Sequence, residues 1–240
     1  MNQKSFTING HTLAFTDDET ILSAARRHGL SIPTLCYEQS LSVVAACRLC
    51  LVEVEGNSRP VPACGTLVQE GMVVSTDTDR LIGYRRMILE LLFSEGNHVC
   101  SACVSNGHCE LQSLAYKVGM THVRFDYLHP TIALDASHDR FAVDRNRCVL
   151  CTRCVRVCEE IEGAHTWDVM NRGIESRVIA DMNQPWGESS TCTSCGKCVD
   201  ICPTGALFHW DASVGQMVKH PEVIDELRES RRARDDQQST

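Results

Sequence analysis

The chain begins with two short segments in which apolar and polar residues alternate, on either side of Asn9 and Gly10. An Asn-Gly pair in that position is the strongest short-range signal of a β-hairpin, because both residues tolerate the left-handed backbone of a tight turn. Two further segments, CLVEVEG from Cys50 and MVVST from Met72, are predicted strands. The first third of the chain is therefore predicted to form a small sheet.

Apolar residues at helical spacing follow in two places. The segment TDDETILSAARRHGL predicts a helix with a capping box between Thr16 and Glu19 and an end near Gly29. The segment TDTDRLIGYRRMILELLFSEG, which starts at Thr76, predicts a longer amphipathic helix. The apolar stripe of this longer helix is Leu81, Tyr84, Ile88, Leu91 and Leu92.

Composition narrows the class of protein. The 240 residues carry a formal net charge of -8, so no basic stripe is available to bind a nucleic-acid backbone. The first ten residues lack the pattern of a signal peptide, and the apolar run MILELLF is far too short to cross a bilayer. We therefore expect a soluble, cytoplasmic protein. Neither G-x-G-x-x-G after a strand nor a P-loop occurs, which argues against a nucleotide site in this chain.

The cysteines carry the main chemical signal. All 15 fall into four groups along the chain, and most are spaced as C-x2-C. An odd number of cysteines with this spacing argues against a disulfide framework and favours thiolate ligands in a reducing compartment. The groups are Cys36, Cys47, Cys50 and Cys64; Cys100, Cys103 and Cys109; Cys148, Cys151, Cys154 and Cys158; and Cys192, Cys195, Cys198 and Cys202.

The third and fourth groups repeat each other as C-x2-C-x2-C-x3-C, the run found in bacterial-type ferredoxins with two [4Fe-4S] clusters. In such runs the fourth cysteine ligates the neighbouring cluster. The alternative, structural zinc, normally uses two separated cysteine pairs rather than four cysteines in one short run. The predicted iron ligands are therefore Cys148, Cys151, Cys154 and Cys202 for one cluster, and Cys158, Cys192, Cys195 and Cys198 for the other.

The first group has a looser spacing, C-x10-C-x2-C-x13-C, which differs from the plant-type ferredoxin spacing. It still sets a close pair, Cys47 and Cys50, between two flanking thiols on loops of the predicted sheet. We interpret Cys36, Cys47, Cys50 and Cys64 as the ligands of a [2Fe-2S] cluster, with zinc as the alternative occupant.

Several motifs together carry a family resemblance. They are IPTLCYEQSLSVVAACRLCLVEVEG with PACGT, then GNHVCSACVSNGHCELQ, then the paired cysteine runs ending in CPTGAL. In this order they resemble the amino-terminal electron-transfer module of three families. These are the large iron-sulfur subunit of respiratory NADH dehydrogenase (complex I), the iron-only hydrogenases, and the small diaphorase subunit of NAD-reducing nickel-iron hydrogenase. The chain ends soon after Cys202, and with WDVMNRGIESRVIADMNQPWGESS it most resembles the diaphorase subunit.

The resemblance implies an α+β fold in consecutive units. Residues 1–77 are expected to form a β-grasp [2Fe-2S] ferredoxin-like domain, and 78–137 a helical [4Fe-4S] domain with a weakly stranded connector from about residue 120. Residues 138–212 are expected to form a two-[4Fe-4S] ferredoxin-like domain. Residues 213–240 are expected to be a C-terminal tail, disordered from Arg228 because of its charged composition.

The resemblance also implies partners and a role. The expected partners are a diaphorase subunit that binds FMN and NAD, and the small and large nickel-iron hydrogenase subunits. The chain itself is expected to relay electrons as part of the enzyme complex, with no catalytic residue and no substrate site of its own. Two alternatives stay open: the equivalent subunit of an NAD-linked formate dehydrogenase or complex I-like enzyme, and a zinc-binding assembly protein.

One ligand remains to be identified. One [2Fe-2S] and three [4Fe-4S] clusters need 16 ligands, and 15 cysteines leave the second group one short. His98 is the best candidate to join Cys100, Cys103 and Cys109, because neutral imidazole binds iron in Rieske centres. His108, which adjoins Cys109, is the alternative. Related proteins usually read H-x3-C at this place, whereas His98 and Cys100 give H-x-C.

The remaining aromatic and histidine positions receive simpler interpretations. Trp167 and Trp186 are expected to pack around the ferredoxin-like domain or to line a partner surface. The other histidines are expected to be surface or loop residues rather than ligands; they are His11, His28, His122, His129, His138, His165, His209 and His220.

Overall fold

Short strands and helices alternate along residues 4–229, which are the residues that the computed structural model describes. The strands are β1 (Ser5–Ile8), β2 (His11–Ala14), β3 (Leu51–Val54), β4 (Val61–Pro62), β5 (Val73–Ser75), β6 (Phe141–Val143), β7 (Trp167–Met170), β8 (Arg177–Ala180) and β9 (Leu207–His209). The helices are α1 (Ile21–Arg27), α2 (Asp79–Glu95), α3 (Glu110–Lys117), α4 (Arg153–Arg156) and α5 (Lys197–Asp200). Short 3-10 turns lie at Cys100–Ala102, Arg145–Arg147, Gly173–Glu175 and Trp186–Glu188, and a π-helical segment at Val157–Glu162.

The first unit is the predicted small sheet with one helix across it. Its strand order is β2-β1-β5-β3-β4, in which β1 and β5 are parallel and the other neighbours are antiparallel. The hairpin prediction is confirmed, since Asn9 and Gly10 both have positive φ, at 50° and 82°. Phe6, Ile8 and Val74 of the sheet pack with Ile21 and Leu22 of α1 in one buried core.

The start of α1 differs from the prediction. The helix begins at Ile21 and is capped by Thr20, which forms the reciprocal capping box with Ser23. Asp18 has a φ of 64°, so the chain turns sharply before the cap and the Thr16 box lies outside the helix. Glu19 still accepts a hydrogen bond from the Thr16 amide, at 3.0 Å, but it lies before the helix.

The buried stripe of α2 also differs from the prediction. Leu81 is buried as expected, whereas Leu91 is 41% exposed. The stripe includes a charged residue, Arg85, which is 2% exposed. Its guanidinium donates to the carbonyls of Leu49 and Leu51, both at 3.0 Å. Apolar periodicity alone misplaces the stripe because a buried arginine that is fully hydrogen-bonded can take a core position.

The third unit contains two small sheets around the paired cysteine runs. β6 pairs with β9 and β7 pairs with β8, both antiparallel. The helices α4 and α5 lie between them and contact each other. The segment after β9 returns to this unit, where Met217 and Ile224 are buried in the same core.

Residues 222–229 are helical, so the prediction of disorder from Arg228 is wrong for Arg228 and Glu229. The rest of the predicted tail, residues 230–240, lies outside the described residues. Of the helices within residues 4–229, none has the length and apolar character to span a bilayer.

Polar contacts join the first unit to the third. Arg156 of α4 donates to the carbonyls of Cys36, at 2.6 Å, and Ser42, at 2.5 Å. The amide of Ser42 donates to Glu160, at 2.8 Å. Arg153, also of α4, lies 3.7 Å from the carboxylate of Glu38 in the first unit, and it forms a bidentate pair with Glu110 of α3, at 2.6 and 2.9 Å. The loop that carries Cys36 is therefore held against the helix that follows Cys151.

Candidate metal centres

The two repeated cysteine runs bend the backbone at equivalent positions. Leu150 and Thr152 have positive φ in the first run, and Ser194 and Gly196 have positive φ in the second. In each run a short helix starts at the next residue, α4 after Thr152 and α5 after Gly196. Left-handed residues turn successive peptide groups toward one side, which forms a concave loop with the cysteine side chains around it.

The cysteines of the two predicted crossed sets line two cavities. One is lined by Cys148, Cys151 and Cys154 of the first run and Cys202 of the second. The other is lined by the remaining four, which are Cys158, Cys192, Cys195 and Cys198. The crossing arises because the π-helical segment and α5 carry each fourth cysteine away from its own loop.

The three thiols of the first run that line the first cavity are strongly desolvated. Burial raises the pKa of Cys148 to about 11 and that of Cys151 to about 12, and it raises the pKa of Cys154 well above its ordinary range. Such thiols keep their protons at neutral pH when no metal is bound. A bound cationic centre would displace the protons, because thiolate is the form that ligates metals.

The first group forms two close thiol pairs. The sulfurs of Cys50 and Cys64 are 3.4 Å apart, and the thiols of Cys36 and Cys47 hydrogen-bond to each other. Within each pair the second thiol stabilises the thiolate of the first, which lowers the pKa of Cys36 to about 5 and that of Cys50 to about 7. Two pairs of this kind fit two iron atoms, one for each pair.

The second group surrounds a further cavity, whose lining includes His98, Cys100, Cys103 and Cys109. Nε2 of His98 is buried and has no hydrogen-bond partner among residues 4–229, while the ring hydrogen-bonds to the backbone of Leu92. Burial lowers the pKa of His98 to about 4, so the imidazole is neutral at pH 7. His98 therefore brings a neutral ring with an unpaired Nε2 to the lining of the cavity that the three thiols share.

His108, the alternative ligand, is placed differently. Its side chain is exposed, and it does not contribute to the lining of the cavity within residues 4–229. The chain turns away at Gly107, whose φ is 84°, and α3 begins at Glu110. The geometry thus favours His98 over His108.

The donor sets fit iron-sulfur clusters better than zinc. Among residues 4–229, no three His, Cys, Asp or Glu side chains lie close enough together to share one metal ion. A zinc site needs four ligand atoms at about 2.0–2.3 Å from one centre. The cysteines of an iron-sulfur cluster instead bind separate iron atoms, so their sulfurs can stand further apart.

Comparison with known families agrees with the three units. Sequence profiles match a 2Fe-2S iron-sulfur cluster binding domain at residues 2–79 and an NADH-ubiquinone oxidoreductase-G iron-sulfur binding region at 85–124. A third profile, the ferredoxin-like domain of NADH-quinone oxidoreductase subunit 3, matches residues 139–208. The predicted fold class is confirmed.

Relatives of similar length identify the family. The chain is 34% identical over 203 residues to the NAD-reducing hydrogenase HoxS subunit gamma of Cupriavidus necator, covering 84% of this chain and 85% of that one. The chain belongs to this gamma-subunit family. A chain in the crystal structure of NAD+-reducing [NiFe]-hydrogenase in the H2-reduced state superposes with a TM-score of 0.82 at 37% identity, covering 88% of each chain.

Other relatives of the gamma-subunit family are much longer. The NADP-reducing hydrogenase subunit HndD of Solidesulfovibrio fructosivorans is 38% identical over 215 residues, covering 86% of this chain. The NADPH-Fe(3+) oxidoreductase subunit alpha of Geobacter sulfurreducens is 37% identical over 204 residues, covering 85% of this chain. This chain spans only 36% of the first relative and 24% of the second.

Sequence reasoning missed three side chains around the fourth cysteine group. His138, expected to be a surface or loop residue, lies in a loop but is only 8% exposed, and its Nε2 lies 3.9 Å from the sulfur of Cys192. Trp186 and Trp167 are buried, as a packing role requires, but each indole also contacts a cysteine sulfur. No sequence signal marks these contacts, because the three residues lie outside both cysteine runs.

Proposed function

We propose that this gamma-subunit family member relays single electrons within a soluble NAD-reducing nickel-iron hydrogenase. It would connect a diaphorase subunit that binds FMN and NAD to the small and large hydrogenase subunits, in the cytoplasm. The observation that carries this proposal is the presence of four separate cysteine-lined sites in one chain that spans most of a hydrogenase gamma subunit. A chain of such sites suits electron transfer rather than substrate conversion.

The proposed cofactors are one [2Fe-2S] and three [4Fe-4S] clusters, which accept and donate single electrons when bound. The lining of the cavities supports the ligand assignment. The proposed iron ligands are Cys36, Cys47, Cys50 and Cys64 for the [2Fe-2S] cluster. For the [4Fe-4S] clusters they are His98, Cys100, Cys103 and Cys109; Cys148, Cys151, Cys154 and Cys202; and Cys158, Cys192, Cys195 and Cys198.

The residues around each site support this use. Burial of most cysteines excludes water, and a hydrogen bond to the Leu92 backbone fixes the His98 ring. Boundaries at residues 77, 137 and 212 are proposed for the domains, with the cluster sites divided among the first three. FMN and NAD are proposed to bind only in the partner subunit.

The test is anaerobic purification of the native complex through the full chain. We expect a flavoprotein and nickel-iron subunits to copurify, with hydrogen-dependent reduction of NAD+. We also expect about 14 irons per gamma subunit, from one two-iron and three four-iron centres. Copurification with a formate-oxidising or quinone-reducing subunit instead would assign the chain to a related enzyme. A colourless protein that contains zinc and no iron would refute the electron-transfer function.

A further inference from the structure

Two tryptophans point their only polar atoms at the fourth cysteine group. Trp186 is 1% exposed, and its Nε1 donates a hydrogen bond to the sulfur of Cys192, at 3.3 Å. Trp167 is 3% exposed, and a hydrogen bond from its indole favours the thiolate form of Cys198, opposing the rise in the pKa of that thiol caused by burial. A buried indole N–H needs an acceptor. In both cases that acceptor is a cysteine sulfur.

The surrounding side chains fix the direction of these hydrogen bonds. The Trp186 ring stacks on Phe141, with centroids 5.5 Å apart, and lies 4.9 Å from the ring of His138. Trp167 meets Trp186 edge-on at 4.8 Å. The Trp186 amide also donates to Asp135, at 2.9 Å. Rings packed on several sides cannot turn their N–H groups elsewhere, so the donors are held in position before any cluster binds.

The neighbouring cavity has a different set of donors. In that cavity, the sulfur of Cys148 accepts a hydrogen bond from the backbone N–H of Leu150, at 3.4 Å. The hydroxyl of Thr204 lies 3.8 Å from the sulfur of Cys202, but it donates to the carbonyl of Arg147, at 2.9 Å. Among the residues the structure describes, indole N–H groups therefore donate to sulfurs of the fourth cysteine group and not to those of the third.

We propose that Trp186 and Trp167 raise the reduction potential of the [4Fe-4S] centre bound by Cys158, Cys192, Cys195 and Cys198. This inference rests on the proposed function, since it assumes that a cluster occupies that site. Reduction adds one electron, whose charge is shared with the ligand sulfurs. A hydrogen bond to sulfur strengthens as the sulfur becomes more negative, so a fixed donor stabilises the reduced form. The two indoles would thus act on the cluster indirectly, through hydrogen bonds to its ligand sulfurs.

The test replaces each indole by a ring of similar shape without the N–H. The variants are Trp186→Phe and Trp167→Phe in the full chain, purified anaerobically. Each should lower the equilibrium constant for reduction of the proposed cluster at Cys158, Cys192, Cys195 and Cys198, called here the fourth centre, by about tenfold. For a one-electron couple this is a fall in reduction potential of about 59 mV. Potentials are measured by EPR-monitored redox titration, and the signal of this centre is assigned as the one lost in Cys192→Ser. Trp210→Phe is the matched control, because Trp210 is 59% exposed and its indole donates to the carbonyl of Asp139.

Each outcome decides the question. A lower potential in both tryptophan variants, with no change in Trp210→Phe and in the other centres, supports the proposal. Unchanged or higher potentials overturn it. If Trp186→Phe does not bind the fourth cluster, the potential measured in Trp167→Phe tests the proposal. Loss of the cluster in both variants would overturn it, because the rings would then be needed for cluster assembly rather than for setting the reduction potential. A wild-type chain that never contains this cluster would instead refute the cofactor assignment, which the iron content reveals independently.

Discussion

The guanidinium of Arg156 is predicted to hold the first unit against the third. Arg156 is 5% exposed and donates to three backbone carbonyls, at 2.5 Å to Ser42, 2.6 Å to Cys36 and 3.2 Å to Cys151. Two of these carbonyls belong to proposed ligands of two different clusters. Replacing Arg156 by Gln removes the charge and leaves at least two carbonyls without their donor.

The expected loss follows from these contacts. A hydrogen bond from a charged donor contributes about 1.5–3 kcal/mol net, and a buried carbonyl without a donor adds to the cost. Loss of even two such bonds therefore amounts to at least about 3 kcal/mol, comparable to the ~3–5 kcal/mol lost when one partner of a buried ion pair is removed. Since about 1.4 kcal/mol is a factor of ten, local opening of the loop should become roughly 100-fold more frequent or more.

Native-state hydrogen exchange measures this opening directly. In peptides that cover residues 36–42, the amides of Leu41 and Ser42 are bonded to Glu38 and Glu160 and should be protected in the wild type. In Arg156→Gln they should exchange roughly 100-fold faster or more, while peptides from β7 and β8 keep their wild-type rates. Arg172→Gln, which makes the same charge change at an exposed residue, is the control.

An exchange rate within about threefold of the wild type in Arg156→Gln would refute the reasoning, because it would limit the contribution of Arg156 to less than about 1 kcal/mol. Faster exchange throughout the chain would refute it as well. That result would mean that Arg156 stabilises the third unit as a whole rather than its contact with the first.

Three further perturbations have defined outcomes. His98→Cys should keep a cluster at a lower potential, since a thiolate adds negative charge, and His98→Ala should weaken or lose it, as EPR would show. Gly205→Ala should remove about four irons per chain, because the new Cβ would lie 2.5 Å from the sulfur of Cys103. Glu19→Gln should destabilise the first unit by about 1 kcal/mol at pH 7. The hydrogen bond from Arg27 lowers the pKa of Glu19 to about 2, so this difference should shrink as pH falls below about 4.5 in urea titrations.

Matched variants distinguish these specific effects from a nonspecific loss of folding or of iron content. Loss of the cluster in His108→Ala rather than in His98→Ala would transfer the ligand role to His108. Gly83→Ala, whose new Cβ meets nothing within 4 Å, should keep full iron content. Glu55→Gln, at an exposed position, should leave stability unchanged at every pH. A stability difference for Glu19→Gln that grew toward low pH would contradict the ion-pair explanation.

Much of the fold was predictable because its signals are local. The Asn9-Gly10 hairpin, the strands near Cys50 and Met72 and the long helix before residue 96 depend on residues a few positions apart. The repeat of the two cysteine runs is local as well, and it reappears in the structure as left-handed residues at equivalent positions. Such features are determined by backbone preference and spacing, which a single sequence contains.

What the sequence left open was decided by contacts between distant segments. Both His98 and His108 lie within two residues of a cysteine, so spacing could not separate them. His98 lies in the lining of the cavity, whereas the turn at Gly107 leaves His108 exposed to solvent. The start of α1 and the burial of Arg85 likewise depend on partners elsewhere in the chain.

The candidate iron ligands can be predicted from the sequence alone, because cysteine is a soft ligand in any fold and C-x2-C spacing brings thiols to one loop. The groups that surround those thiols depend on contacts between distant parts of the chain. The amide of Ser42 meets Glu160 across 118 positions of the chain, and Arg156 meets the carbonyl of Cys36 across 120. Hydrogen bonds of this kind depend on the packing of whole units against one another, and no local pattern encodes that packing.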